Sequence, residues 1–180
     1  MNQTISDAAM VTQQGKFSTT NNYTITTFKG SGGDIPDGKG SFLDNIIVKE
    51  NFKIKEVSIK LHNMVHTWVG DLVVSLRHGE TGTVVDLFRQ PGKPNFSSSG
   101  YSSDIKGDYI FNDHNSEDFE AAAGANTVVP SGNYHPVESL SAFDGLSAAG
   151  TWQLIIKDNA AGDSGSLGSW SLDLGYTQST

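Results

Sequence analysis

The chain has 180 residues, no cysteine, 20 glycines and a formal net charge of −8. Its length suits one domain with a sizeable core, and the missing cysteines exclude disulfides, thiolate nucleophiles and zinc–thiolate sites. The acidic balance argues against nucleic acid and membrane as partners, because phosphate binding needs clustered Lys and Arg; it leaves cations or basic protein surfaces. Apolar residues are only 36% of the chain, and with so many glycines this suits short strands joined by tight turns, not a helical bundle.

Residues 1–22 are polar and read as a tail or a loosely attached edge segment, leaving 23–180 as one domain. The first residues lack a basic n-region and an apolar h-region, so no signal peptide is expected in them. No run approaches the roughly 20 apolar residues of a membrane span. Residues 23–28, rich in β-branched and aromatic types, predict a first strand. The stretch 30–38, with four glycines and Pro36, reads as a turn-forming loop.

Further strands are expected at 45–48, 54–62, 71–78, 83–89, 107–111, 151–157 and 169–174. Val57, Ile59 and Leu61 alternate with Ser58 and Lys60, as a half-buried antiparallel strand requires. Trp152, Leu154 and Ile156 share one face of another strand, and Trp152 and Trp170 are expected to fill the core. Residues 90–147 are loop-rich, with a short helical signal only at 118–123; so long an irregular segment usually carries function. The expected fold class is all-β: an antiparallel β-sandwich with jelly-roll topology.

The acids cluster by position. Asp71 follows a Gly turn at the start of a strand, while Asp104, Asp108 and Asp113 surround the strand at 107–111. Calcium takes six to eight oxygens from carboxylates, carbonyls and amides, and such loops can supply them. A second acidic loop holds Asp158 and Asp163; it lacks the twelve-position EF-hand pattern and reads mainly as a structural loop bonding backbone amides, a second metal being the alternative. No serine sits in a G-x-S-x-G context, so His66 beside Asp71 implies no catalytic triad and no catalytic residue is assigned. His62, His78, His114 and His135 are too dispersed for zinc. Trp68, in a turn beside Gly70, is a candidate partner contact at the rim.

The spacing His66-Thr67-x-x-Gly70-Asp71-Leu72, then Gly150-Thr151-Trp152, then Gly165-x-Leu167-x-x-Trp170-x-Leu172 resembles the P domain (P/Homo B domain) of the proprotein convertases. The likeness runs from about Phe28 to Leu174, and Ser139-Leu140-Ser141-Ala142-Phe143-Asp144-Gly145 resembles the bacterial branch. The resemblance implies a secreted, extracellular or periplasmic module that lies C-terminal to a subtilisin-like or metalloprotease domain, stabilises it and is not itself an enzyme. Its implied partner is that protease domain in cis, or another protein surface. It also implies calcium at Asp71, Asp104 and Asp113, where bacterial members carry acids, with Asp108 the next candidate from position alone. The chain holds none of the catalytic motifs of subtilases. The competing expectation is a carbohydrate-binding or adhesion jelly roll, since fold alone does not decide function.

Overall fold

A computed structural model describes residues 17–20 and 23–177. The expected tail at 1–22 therefore falls mostly outside the described residues; within it, Phe17–Thr20 forms β1, paired with the next strand. The strands that follow are β2 (Tyr23–Ile35), β3 (Phe42–Val48), β4 (Glu56–His66), β5 (Leu72–His78), β6 (Thr83–Arg89) and β7 (Asp104–Phe111). They continue with β8 (Glu117–Asp118), β9 (Val128–Val129), β10 (Gly132–His135), β11 (Gly150–Asp158) and β12 (Gly165–Thr177). One helix, α1 (Phe119–Ala125), lies between β8 and β9, with the Asp118 side chain accepting from the Glu120 N–H at its start.

Two sheets face each other. The larger has the order β1-β2-β12-β4-β7-β10-β8, with β9 beside β7; the smaller is β3-β11-β5-β6. The all-β sandwich is as expected, and this order is compatible with jelly-roll winding. The pairing departs from pure antiparallel at one edge, where β9 and β10 run parallel to β7. Two- and four-residue strands carry too little periodicity to be read from sequence.

Alternation builds the core. Val57, Ile59 and Leu61 are buried on β4, and Trp152, Leu154 and Ile156 on β11. Both indoles are enclosed and bonded: Trp152 Nε1 donates to the Ala148 carbonyl at 2.9 Å, and Trp170 Nε1 to Asp44 Oδ2 at 2.7 Å. Buried indoles need such partners.

The glycine-rich stretch after Phe28 is a correction. It is not a loop, because β2 stays paired with β12 from Tyr23 opposite Thr177 to Ile35 opposite Gly165. A Cβ at Gly30 would sit 2.1 Å from Trp170 Nε1, so the absent side chain is what lets the indole lie over the strand. β4 likewise runs on to His66 through an irregularity between Leu61 and Met64, where Asn63 takes φ 51°.

Candidate functional site at one end of the sandwich

The turn from β4 to β5 and the loop from β11 to β12 meet at one end of the molecule. His66 closes β4 in the larger sheet and Asp158 closes β11 in the smaller one. Their side chains, both fully buried, meet at 3.0 Å between Nε2 and Oδ2. His66 Nδ1 accepts the Trp68 N–H at 3.0 Å, so the ring proton sits on Nε2 and is donated to Asp158. The other Asp158 oxygen accepts the Ala160 N–H at 3.1 Å. This pair ties the two sheets together, and no ring nitrogen is left to serve a nucleophile.

Further bonds close the same end. Thr67 Oγ1 donates to Asp163 Oδ1 at 2.9 Å, and the Gly162 N–H donates to Asp37 at 3.0 Å. The Asp71 carbonyl accepts from the Asn159 backbone at 2.9 Å and from its side chain at 3.2 Å. Gly70 is required, because a Cβ there would meet Ser99 O at 2.6 Å and Gly100 Cα at 2.8 Å. Trp68 is half-buried, and its Nε1 donates to the Ser99 carbonyl at 2.9 Å, which lays the indole over the 90s loop.

Asp71 stands apart from these satisfied groups. It ends a short 3-10 turn, Val69–Asp71, instead of opening a strand, and it is 4% exposed. No hydrogen-bond donor among the described residues reaches its carboxylate. Burial first, then repulsion by Asp158 and Asp163, pushes its carboxyl up from 3.8 to about 6, against the opposing pull of His66 and Lys93.

The other sequence candidates go elsewhere. Asp104 opens β7 near the same end, where its N–H bonds the Thr127 carbonyl at 2.9 Å. Asp108 lies mid-strand and accepts from the Asn63 N–H at 2.7 Å and from His62 Nδ1 at 2.9 Å. Asp113 lies beyond the far end of β7; at ~3.3 Å per extended residue it is about 25–30 Å from Asp104. Its carboxylate accepts from Ser139 Oγ at 2.7 Å, the Leu140 N–H at 2.8 Å and the Ser141 N–H at 2.9 Å. It therefore caps the turn Leu140–Phe143.

Asp71, Asp104, Asp108 and Asp113 thus do not form one ligand set, because an extended strand separates acids that are close in sequence. Among the described residues no three His, Cys, Asp or Glu side chains are grouped to hold a metal ion. Sequence reading missed Asp144, whose carboxyl is raised by burial and then by Asp113 and Glu56. It also missed Asp37 as a partner of the Gly162 loop. Asp144 lies in the stretch that resembles the bacterial branch, but nothing in its spacing pairs it with Asp113 or Glu56.

Fold and site together define a β-sandwich module in which the buried His66–Asp158 pair is a tie between sheets. A family model for the proprotein convertase P-domain matches residues 54–174, more than half of the chain, and the chain belongs to that family. The match begins after β2 and β3, although both strands complete the two sheets. A comparison with curated proteins gives no match.

Among solved structures the chain is similar to a serine protease of Aeromonas sobria, at 17% identity and TM-score 0.47, over 83% of this chain and 27% of that one. It is similar to the same serine protease in complex with its chaperone, at 15% identity and TM-score 0.49, over 96% and 29%. FLHE is similar at 10% identity and TM-score 0.46, over 87% and 98%. The chain spans under a third of the length of the two Aeromonas protease chains.

Proposed function

We propose that the chain is a secreted, non-catalytic P-domain module that docks on a protease domain, subtilisin-like or metallo, and steadies it. The enclosed His66–Asp158 pair carries this reading: it resembles half of a hydrolase triad in composition, yet both side chains are internal and 0% exposed. Family membership supports the protease partnership. No helix among the described residues is long and apolar enough to cross a membrane.

The docking face we favour is the outer surface of the smaller sheet. Leu43 and Ile47 on β3 are 55% and 68% exposed and Val84 on β6 is 45% exposed, with Ile155 opposite Leu43. Apolar side chains grouped on one sheet face are what a protein partner covers. Trp68 is less available, since its indole is half-buried and bonded.

Calcium enters this proposal at Asp71 and not at the four-aspartate set. Asp71, with the second oxygen of Asp163 and main-chain carbonyls, would hold the ion and relieve the repulsion among the acids there. The chemistry fits a hard cation, because the nearly enclosed Asp71 carboxylate lacks a donor among the described residues.

The test is titration of the chain with isolated subtilisin-like and metalloprotease catalytic domains, followed by co-elution and by the melting temperature of the catalytic domain. Binding with a rise in melting temperature, lost in the double variant Leu43→Lys, Ile47→Lys, is the expected result. Failure to bind either class, or peptide hydrolysis by the chain itself, would overturn the reading.

A further inference from the structure

The loop between β6 and β7, together with the end of α1, builds a second feature that the protease reading does not use. A groove of about 500 Å3 lies between the 90s loop and the end of α1. One wall is Phe96, 66% exposed, whose ring packs at 4.6 Å and 40° on Tyr101. The Phe96 N–H is held by the Gly92 carbonyl at 2.8 Å, so the ring stands on a bonded turn.

Two glycines shape this platform. A Cβ at Gly124 would meet the Tyr101 ring and hydroxyl at 2.7 and 2.8 Å, and one at Gly92 would meet Tyr101 N at 2.6 Å. Without those side chains the Tyr101 ring lies against α1 and props Phe96 outward. Phe96 therefore presents an exposed phenyl face at the mouth of the groove, fixed in place by Tyr101.

The rest of the lining is uncharged, three small residues of α1 (Ala123, Gly124, Ala125) beside Ser102, Ser103, Asn126 and Thr127: no Asp, Glu, Lys, Arg or His faces the groove, in a chain with 12 basic and 20 acidic residues. Ser103 is consumed, donating to the Ala123 and Asn126 carbonyls. Asn126 Nδ2 donates to the Ala122 carbonyl at 2.8 Å, and no donor among the described residues reaches its Oδ1. The Ser102 and Thr127 hydroxyls bond no described residue.

We propose that this groove binds a neutral saccharide. A pyranose offers a C–H face to stack on Phe96 and rim hydroxyls to pair with Asn126, Ser102 and Thr127. An anionic ligand finds no cation there. A wholly apolar peptide leaves the hydroxyls and the amide oxygen unpaired, which costs affinity. Such a site is mostly apolar with a few placed polar groups, as small-ligand sites are. The inference is independent of the protease reading, whose docking face is the outer surface of the smaller sheet.

The test is calorimetry and amide NMR of the chain with cellohexaose, xylohexaose, mannohexaose and laminarihexaose, with a heparin hexasaccharide and an apolar hexapeptide as contrasts. At least one neutral hexaose is expected to bind and to shift the Phe96, Tyr101, Asn126 and Thr127 signals. Phe96→Ala weakens that binding about tenfold, the worth of one aromatic contact, while Phe96→Tyr retains it. Because Phe96 is exposed, the Ala variant keeps its fold, which its NMR spectrum verifies. The proposal is overturned if no neutral hexaose binds at millimolar concentration, if Phe96→Ala leaves binding unchanged, or if only heparin or the apolar peptide moves the groove signals.

Discussion

Asp71 and Asp113 are the same residue type, both in turns next to strands, and they meet opposite fates. Asp113 sits where a chain reversal presents two backbone N–H groups and a hydroxyl, so its carboxylate becomes a cap. Asp71 sits where no donor among the described residues bonds its carboxylate, so it is left buried beside Asp158 and Asp163. Donor supply, not sequence position, separates a structural carboxylate from one available to a ligand.

The sheet-to-sheet tie beside Asp71 is the first place to break this contrast. His66→Ala strands the Asp158 carboxylate without its ring partner, and we expect a loss of about 3–5 kcal/mol in urea denaturation. A loss as small as that of an exposed ion pair would mean that water reaches this end. At the other end, Asp113→Ala removes three acceptor contacts and should cost about 1–2 kcal/mol. Faster amide exchange at Leu140 and Ser141, with the His66 end unchanged, would locate the damage.

Asp71→Asn acts in the opposite direction. A carboxyl raised in the fold gives stability that is full below about 3.8 and is lost as pH rises through about 6. The variant should therefore be more stable than the parent above pH 7 in metal-free buffer, by about 1–2 kcal/mol once solvent screening is allowed for. The difference should vanish near pH 4. A gap that does not change between pH 4 and 7 would remove the charge argument. The smallest effect belongs to Phe96→Ala, which should leave stability within about 0.5 kcal/mol.

Much of the sandwich was legible in the sequence because alternation is a local signal. Val57, Ile59 and Leu61 announced β4, and Trp152, Leu154 and Ile156 announced β11. What failed was long-range. The run Gly30-Ser31-Gly32-Gly33 looks like a loop until Trp170 of β12 is placed over it. The short parallel strands at the β7 edge exist only through their neighbours. For the site, His66, Gly70 and Asp71 were rightly drawn to one corner by their spacing. Asp158, bonded to His66, and Asp163, bonded to Thr67, lie 92 and 96 residues further on, and by spacing alone they form a separate loop. Asp104, Asp108 and Asp113 were grouped by proximity in sequence, and the extension of β7 undid the grouping.

The most direct measurement is the melting temperature of the chain, Asp71→Asn and Asp113→Ala, each with millimolar calcium and with a chelator. A ion that binds the native state raises stability, and a chain of this size gains about 2–4 °C per kcal/mol. The account predicts a calcium-dependent rise in the parent, its loss in Asp71→Asn and its retention in Asp113→Ala. No rise in the parent, or a rise abolished by Asp113→Ala and kept by Asp71→Asn, would contradict it.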